Sequence, residues 1–569
     1  VIVLVAPPMT DRRAETGRAP MVAVAHMRLM ILMLVFTAAV LLIVMRLAML
    51  ALFAEPRDGR DAAAALAPLR ADIVDRNGAP LARTIDAWTI GVRPGHVIGD
   101  RAELARGLAA LLPERSAAEY LRILNSRSNF VYLRRRAVPQ LVAEVNALGE
   151  PGIAFSREPE RLYPQSGLAA SVLGYLNIDG KGMLGMEKAL QRQLTDPQAR
   201  GEPVALSIDS RVQAAFESEL SQAMMKFSAI GAGGLILDVD SGEVLAMVSL
   251  PSFNPNAVSG RENELNLVTQ GVYELGSTFK PLTMATAIET GLVTSMATRY
   301  DATAPLQVGR FRIRDDHAQN RYLNVPEALV HSSNIVTARI ADALGQERMA
   351  ASFRALGFDT PPHIEIEKAK PQWPGFWART TVMTSGYGHG IAVTPLHLAN
   401  AYATLVNGGI WRPTTLMKIA PGKAPKGRRV YAQATSDRMR QLLRLIALEG
   451  TGRRGDAPGY RVGGKTGTAE RAGAGGYSRK VNVSTFAAAF PMDAPRYVVI
   501  AMLDSPKGTA DTFGFTTAAW TVAPVVSRVI QRSGPMLGVY PDMRRDIDVS
   551  DLTPLLWKAP GDASKAAVE

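Results

Sequence analysis

The stretch Tyr273–Met284, "YELGSTFKPLTM", places a serine three residues ahead of a lysine where a helix begins. Apolar residues recur at helical spacing from here to Thr290, and Gly291 supplies a stop. Pro281 is compatible with that helix only in its first turn, where the missing amide hydrogen costs nothing. Ser277 therefore sits at a helix N-terminus, where unpaired backbone amides and the positive end of the dipole favour negative charge on a bound oxygen. Residues three apart share a helical face, so Lys280 lies beside the Ser277 hydroxyl and, with its charge suppressed, can take the hydroxyl proton. The bland alternative is a capping serine followed by an ordinary surface lysine. Ser-x-x-Lys by itself recurs by chance in long chains, so the rest of the sequence has to decide.

Two further short patterns follow in order. "HSSNIVTARIADALG" carries Ser332, Ser333 and Asn334 ahead of a helix, and "RVGGKTGTAER" carries Lys465, Thr466, Gly467 and Thr468 in a β-like run flanked by glycines. Alone, the first is a common cap and the second an ordinary edge strand leading to a turn. Together with Ser277 and Lys280 they supply a nucleophile, proton carriers, an amide anchor and hydroxyls for a carboxylate, beside a glycine that leaves room for a substrate. Upstream, "GGLILDVD" and "EVLAMVSL" around Ser241-Gly242 read as a buried hairpin. "VALSIDSRVQAAFESELSQAMMKF" reads as a short strand and an amphipathic helix.

Further out, 569 residues with 47% hydrophobic and 20% charged residues imply several folded cores. No cysteine is present, which excludes disulfides, thiolate metal sites and a cysteine nucleophile. The net charge of +12 is dispersed, with "LRRRA" (133–137) and "KGRRV" (426–430) the densest clusters. That pattern fits a solvated face or attraction to an anionic envelope rather than a nucleic-acid groove. No histidine–carboxylate set has metal-ligand spacing, and His389 in "SGYGHG" reads as a loop-packing residue. Leu29–Met45 is uncharged, and beyond Arg46 the apolar run resumes to Ala54, long enough to cross a bilayer. A cleaved signal peptide would have a shorter core and a small-x-small site, which "EPRDGRD" does not follow. Arg12, Arg13, Arg18 and Arg28 outnumber Asp11 and Glu15 ahead of the span, which predicts a cytoplasmic N-terminus. The opening "VIVLVAPP" leaves Met9 and Met21 as alternative starts. After an Ala-rich linker, "ADIVDRNGAPLARTIDAWTIGVRP" predicts two β runs about an Asn77-Gly78 turn, and 101–150 turns helical.

The three motifs, in this order, resemble those of penicillin-binding proteins and related β-lactamases. "RADIVDRNGAPLA", "ERLYPQSG" and "GMLGMEKAL" resemble the pedestal segments of class B members, and "STFAAAFPMDAPRYVVIAMLDSPKG" their transpeptidase domain. "KTGTAER", "FPMDAPRY" and "FGFTTAAWTVAPVVSRVI" are most similar to the septal, division-specific branch in proteobacteria, with the elongation-specific branch next. The resemblance implies an α+β fold: a penicillin-binding transpeptidase domain of antiparallel sheet and helices, an extended α+β pedestal and one transmembrane helix. The corresponding division is 1–28 cytoplasmic tail, 29–54 membrane helix and flank, 55–69 linker, 70–200 pedestal, 201–535 transpeptidase domain and 536–569 a partly ordered tail. Leu275 replaces a usual proline and Ser171 a usual histidine, neither among the catalytic groups. The acidic glycosyltransferase signature of class A members does not occur between 55 and 205.

By the same resemblance, Ser277 is the nucleophile and Lys280 its base. Ser332 relays a proton, Asn334 holds the donor peptide, and Lys465 adds positive potential and orders Ser332. Thr466, Gly467 and Thr468 bind the substrate, the backbone amides of Ser277 and Thr468 forming the oxyanion hole. The implied activity is a cofactor-free D-Ala-D-Ala transpeptidase of the inner membrane, single-pass with a periplasmic catalytic domain. Its expected partners are stem peptides, β-lactams and membrane-embedded division proteins, including a polytopic glycan polymerase. A noncatalytic scaffold with a vestigial fold is the alternative from another class, and the three intact motifs speak against it.

Overall fold

In the computed structural model, residues 18–53, 70–177, 179–260, 264–473 and 476–557 are described. The expected linker, the first residues of the cytoplasmic tail and the end of the C-terminal tail lie outside them. The chain divides into Val1–Ala67 and Pro68–Glu569. The described part of the first unit is one helix, α1 (Arg18–Phe53). Its segment His26–Met49 is 24 residues long and wholly unburied, about 36 Å of helix against a hydrocarbon core of roughly 30 Å. Leu32, Leu34 and Phe36 are exposed on it, a display of apolar surface that suits lipid rather than water.

The second unit opens with the hairpin around Asn77-Gly78. Strands β1 (Ile73–Val74) and β2 (Pro80–Val92) pair antiparallel, and Gly78 takes the positive φ of 88° that the turn requires. Helices α2 (Arg101–Leu111) and α3 (Ala117–Leu124) begin on the caps Asp100 and Ser116, the latter closing a capping box with Glu119. The expectation of a helical pattern over 101–150 is corrected between them and α4 (Pro139–Asn146): Val131–Ala137 is a strand, β3, paired antiparallel with β2. The basic cluster at 133–137 lies on this strand. Arg136 pairs with Glu160 at 2.9 Å, and Arg135 lies over the Tyr132 ring. Side chains alternating across a strand distribute three consecutive arginines to two faces, which the helical periodicity around them concealed. β4 (Ile153–Leu162) covers the other side of β2, and Ile90, Leu104, Leu108, Tyr120 and Leu124 form the local core.

A buried ion triad ties this region to its own base. Glu187, on helix α5 (Gly185–Ala189), is fully buried, 2.6 Å from Arg70 Nε and 2.7 Å from Arg161 Nε. Removing the carboxylate leaves two buried guanidinium groups uncompensated, a loss of about 3–5 kcal/mol. Glu187→Ala is therefore expected to lower the thermal unfolding midpoint of the purified chain by several degrees or more, measured by circular dichroism, whereas an exposed control such as Glu144→Ala leaves it unchanged.

Short β5 (Val204–Ala205) runs parallel to β1 and leads into α6 (Ser210–Lys226). Asp75 locks the junction, its carboxylate accepting from Ser210 N (3.1 Å) and Ser210 Oγ (2.7 Å). The predicted buried hairpin is β6 (Gly231–Asp238) and β7 (Val244–Leu250). With the later strands β8 (Gly463–Gly473), β9 (Gly476–Phe490) and β10 (Tyr497–Asp504) it forms one antiparallel sheet in the order β8-β9-β10-β6-β7. Both faces are covered, which explains the near-continuous apolar runs. Ile236, Val499 and Ala501 meet Val212 and Phe216 of α6 and Val526 and Val529 of the Ala523–Ser533 helix. Leu235, Leu237, Val498 and Ile500 face the opposite core with Leu282, Leu396 and Leu442. β8 is the edge strand, leaving one side of its backbone open towards that second, helical layer.

The described part of the tail, residues 536–557, is anchored to the rest of its unit. Leu552 is fully buried, Arg444 pairs with Asp546 at 2.6 Å, and Asn324 Nδ2 donates to Leu555 O. Scattered single anchors, rather than a periodic face, hold this segment, so no repeat in its sequence announced them.

Candidate active site

Ser277 stands in a single 3₁₀ turn, Gly276–Phe279, that runs into the helix Lys280–Glu289 with Pro281 in its first turn. Three contacts fix the turn from different elements. The Tyr402 hydroxyl donates to Thr278 O at 2.9 Å in the core. Gly388 of "SGYGHG" packs so closely that an added Cβ would lie 2.2 Å from Gly276 O. On the third side lies β8, where a Cβ on Gly467 would fall 2.4 Å from Leu275 O and 2.8 Å from Thr278 Cγ2. A side chain at 467 would thus wedge the edge strand away from the serine turn. Ser277 itself is half-buried. His389 packs with its ring 5.3 Å from that of Tyr387, in keeping with a loop-packing role.

The backbone on the open edge of β8 is aimed at the same turn. The Thr468 carbonyl oxygen would be 3.1 Å from a Cβ on Gly276, so it faces away from β9. In a strand the N–H and C=O of one residue project to the same side. The Thr468 amide therefore also faces the Ser277 turn, the placement an oxyanion donor needs.

Lys280 is 0% exposed, and its Nζ donates to the carbonyl of Ser332 and, at 3.0 Å, to Ser332 Oγ. Burial pushes its pKa down to about 7 against the opposing pull of Asp315 and Asp316. Ser332 has φ of +58°, a left-handed conformation that a residue with a side chain adopts only when held there. Ser333 caps the following helix Asn334–Ala355, accepting from Val336 N at 3.1 Å and donating to Asp315 Oδ2 at 2.8 Å. Asn334 Nδ2 donates to Arg314 O at 2.8 Å.

Lys465 is likewise 0% exposed. Burial, then the charge of Lys280, hold its pKa well below that of a free lysine, with Asp316 opposing. Its Nζ donates to Thr466 O at 2.9 Å and reaches Thr451 Oγ1 at 3.4 Å. The resemblance assigned the ordering of Ser332 to Lys465; here Lys280 makes the contacts to Ser332, and Lys465 braces its own strand against Thr451. Thr466 Oγ1 also donates to Thr451 Oγ1, at 2.8 Å. Thr468 Oγ1 accepts from Ala518 N at 3.2 Å, which leaves the Thr468 hydroxyl hydrogen for a ligand.

The eight residues singled out in the sequence thus lie on three adjoining elements: the Ser277 turn with the helix that follows it, the turn at 332–334 and the edge strand 465–468. Sequence reasoning missed Asp315, Asp316, Thr451 and Tyr402. "RIRDDH" offered a doubled carboxylate ahead of the serine–asparagine turn, but nothing in its spacing pointed to two buried lysines.

Gly467→Ala tests the close approach. Displacing the edge strand by an ångström moves the Thr468 amide, an error of the size that costs about a hundredfold in rate. The variant is expected to lose penicillin acylation by that factor while retaining cooperative unfolding.

Residues 232–527 match the family described as penicillin binding protein transpeptidase domain, and residues 65–201 the family described as penicillin-binding protein dimerisation domain. The probable peptidoglycan D,D-transpeptidase FtsI of Caulobacter vibrioides is 39% identical over 86% of this chain and 85% of its own length. The peptidoglycan D,D-transpeptidase FtsI of Escherichia coli K12 is 30% identical over 77% of this chain and 79% of its own. In fold, the chain is similar to penicillin binding protein 3 of Mycobacterium tuberculosis, solved in complex with aztreonam. The TM-score is 0.65 at 24% identity, covering 84% of this chain and 98% of that one.

Proposed function

The chain belongs to the class B penicillin-binding proteins, and on that ground we propose that it is a serine D,D-transpeptidase that cross-links peptidoglycan stem peptides at the division septum and is acylated by β-lactams. The observation that carries the proposal is the buried Lys280, brought down to about 7 and in contact with Ser332, three residues after Ser277 at a helix start.

Neutral Lys280 takes the Ser277 hydroxyl proton as Oγ bonds to the carbonyl carbon of the terminal D-Ala-D-Ala peptide. The oxyanion is held by the amides of Ser277 and Thr468, fixed donors that need no reorganisation. The proton passes from Lys280 through Ser332 Oγ to the departing nitrogen as the C–N bond breaks, releasing D-alanine and leaving an ester on Ser277. Thr468 donates its free hydroxyl hydrogen to the terminal carboxylate beside the positive potential of Lys465, Thr466 joins it by turning its own hydrogen away from Thr451, and Asn334 anchors the donor peptide. An amine from a second stem peptide then attacks the ester, its proton retracing the same path. A β-lactam acylates the same serine, but its amine stays tethered.

Helix α1 anchors the chain in the inner membrane with the N-terminal arginines in the cytoplasm and the cleft in the periplasm. Membrane-embedded division proteins, among them a polytopic glycan polymerase, supply nascent strands. Uncross-linked glycan bearing pentapeptides tests the activity: the purified full chain yields dimeric muropeptides and free D-alanine, and monomers alone would overturn the reading. Depletion in cells is expected to give filaments; rounded cells would move the protein from septum to side wall.

A further inference from the structure

The end of the chain runs back to the short helix that carries Ser332. On the helix Gln433–Glu449, Arg444, Gln441 and Arg438 are three residues apart and so share a face. The tail meets them in reverse order. Asp546 pairs with Arg444 at 2.6 Å, Asp548 O accepts from Gln441 Nε2 at 2.8 Å, and Asp551 pairs with Arg438 at 2.6 Å. Residues 546–551 therefore lie antiparallel along that helix, and Leu552, fully buried, fixes the next position in the core. The path ends on the helix Val325–Val330: Leu555 O accepts from Asn324 Nδ2 at 2.6 Å, and Trp557 N donates to Glu327 Oε1 at 3.0 Å.

Asn324 and Glu327 are the capping box of that helix, each accepting from the other's backbone amide, and both are buried. Arg321 pairs with the Glu327 carboxylate at 2.7 Å and lies over the Trp557 ring, 5.0 Å from its centroid. At the other end of the helix, Leu329 O and Ala328 O accept from the amides of Ser332 and Ser333 at 3.2 and 2.8 Å. Ser332 in turn seats the Lys280 amine on its carbonyl and its hydroxyl. A connected series of bonds thus leads from Trp557 to the base.

We propose that the segment 546–557 is a strap for acyl transfer: its end, at Leu555 and Trp557, braces the helix Val325–Val330 and so positions Ser332 against the Lys280 amine. The assignment rests on the transpeptidase reading above. Six residues make less than two turns, too few to hold a helix without tertiary support. The strap gives that support at the cap, through the same two side chains that start the helix. The Ser332 backbone, left-handed at φ +58°, needs a fixed helix behind it to stay in that conformation. Trp557 is therefore a positioning residue, acting through the cap on Ser332. Its side chain is 54% exposed, so it can be removed without opening the core.

The test is turnover of a small D-alanyl thioester, whose acyl group passes through Ser277 to water, by the detergent-solubilised full chain and its variants. A group that positions the reacting residues lowers kcat and leaves KM in place. The set comprises wild type, a deletion of 551–569, a deletion of 558–569, Trp557→Ala, Trp557→Phe and Ser277→Ala, each with its melting curve. Deleting 551–569 is expected to lower kcat about tenfold or more, and Trp557→Ala about threefold, with KM within about twofold of wild type. Trp557→Phe, which keeps a ring beneath Arg321, is expected to restore most of the alanine loss, and deleting 558–569 to change neither constant. Should the chain lacking 551–569 not fold, Trp557→Ala decides. A Trp557→Ala kcat equal to that of wild type, or a loss carried by KM alone, would overturn the inference. Turnover that persists in Ser277→Ala would instead overturn the transpeptidase reading and leave the strap as a structural feature only.

Discussion

Replacing Ser277 with alanine is expected to lower acylation by a fluorescent penicillin by on the order of 10⁴ or more, to the limit of detection. The expectation is so steep because the remaining groups act through this hydroxyl. Lys280 has no proton to remove without it, the amides of Ser277 and Thr468 have no oxyanion to stabilise, and Ser332 has no proton to relay. Groups that act as a unit lose nearly the whole effect when one is deleted. The fold is not at risk: Ser277 is half-buried, and the turn is held by Tyr402, Gly388 and the edge strand rather than by the serine hydroxyl. An unchanged melting curve should accompany the loss.

Lys280→Met carries the second large effect, on the order of 10³ in acylation rate, by removing the base while keeping an unbranched chain of similar length. Its diagnostic feature is the pH dependence. In the wild-type protein the lysine must be neutral to act, and burial holds its pKa at about 7. Acylation should therefore be level above pH 8, bend near 7 and fall about tenfold for each further pH unit. The sign follows from the group: protonation destroys a base, so activity is lost as pH falls. The methionine variant should show its residual rate without that limb. A wild-type profile that stays level down to pH 5 would mean that Lys280 is not the group that titrates, whatever the variant does.

How much of this was legible beforehand depended on the kind of contact involved. The Ser277 turn, the cap at Ser333 and the strand at Lys465 each follow from local rules, because capping, proline placement and β alternation are set within a few residues. The hairpin at 231–250 was readable for the same reason, its apolar runs reflecting a sheet covered on both faces. The strand at 131–137 was not, since seven residues between helices, three of them arginine, carry no alternation of hydrophobicity. Its pairing with β2 is tertiary information. The contacts that hold 536–557 were illegible on similar grounds, being isolated anchors such as Leu552 and the Arg444–Asp546 pair.

Within the site, the order of the motifs gave the participants but not who touches whom. That two lysines would share one site was foreseeable; that both are fully buried, and that Lys280 rather than Lys465 contacts Ser332, depends on rotamers and on the left-handed Ser332 backbone. Asp315 and Thr451 escaped because each acts through a partner distant in sequence. Asp315 reaches Ser333 across 18 positions and Thr451 reaches Thr466 across 15. Gly467 was read as a gap for substrate, whereas the structure gives it a further reason, the 2.4 Å that a Cβ would leave to Leu275 O.

The central claim is that the Ser277 hydroxyl, on the turn that adjoins the edge strand and leads to Lys280, is the group that forms the covalent ester. Peptide mapping by mass spectrometry after brief treatment of the full chain with a penicillin tests it without relying on any variant. One adduct, of the mass of the opened β-lactam, is expected, fragmenting to Ser277 and to no other residue. An adduct localised to Ser332, Ser333 or a threonine of the 466–468 strand, with Ser277 unmodified, would contradict the account.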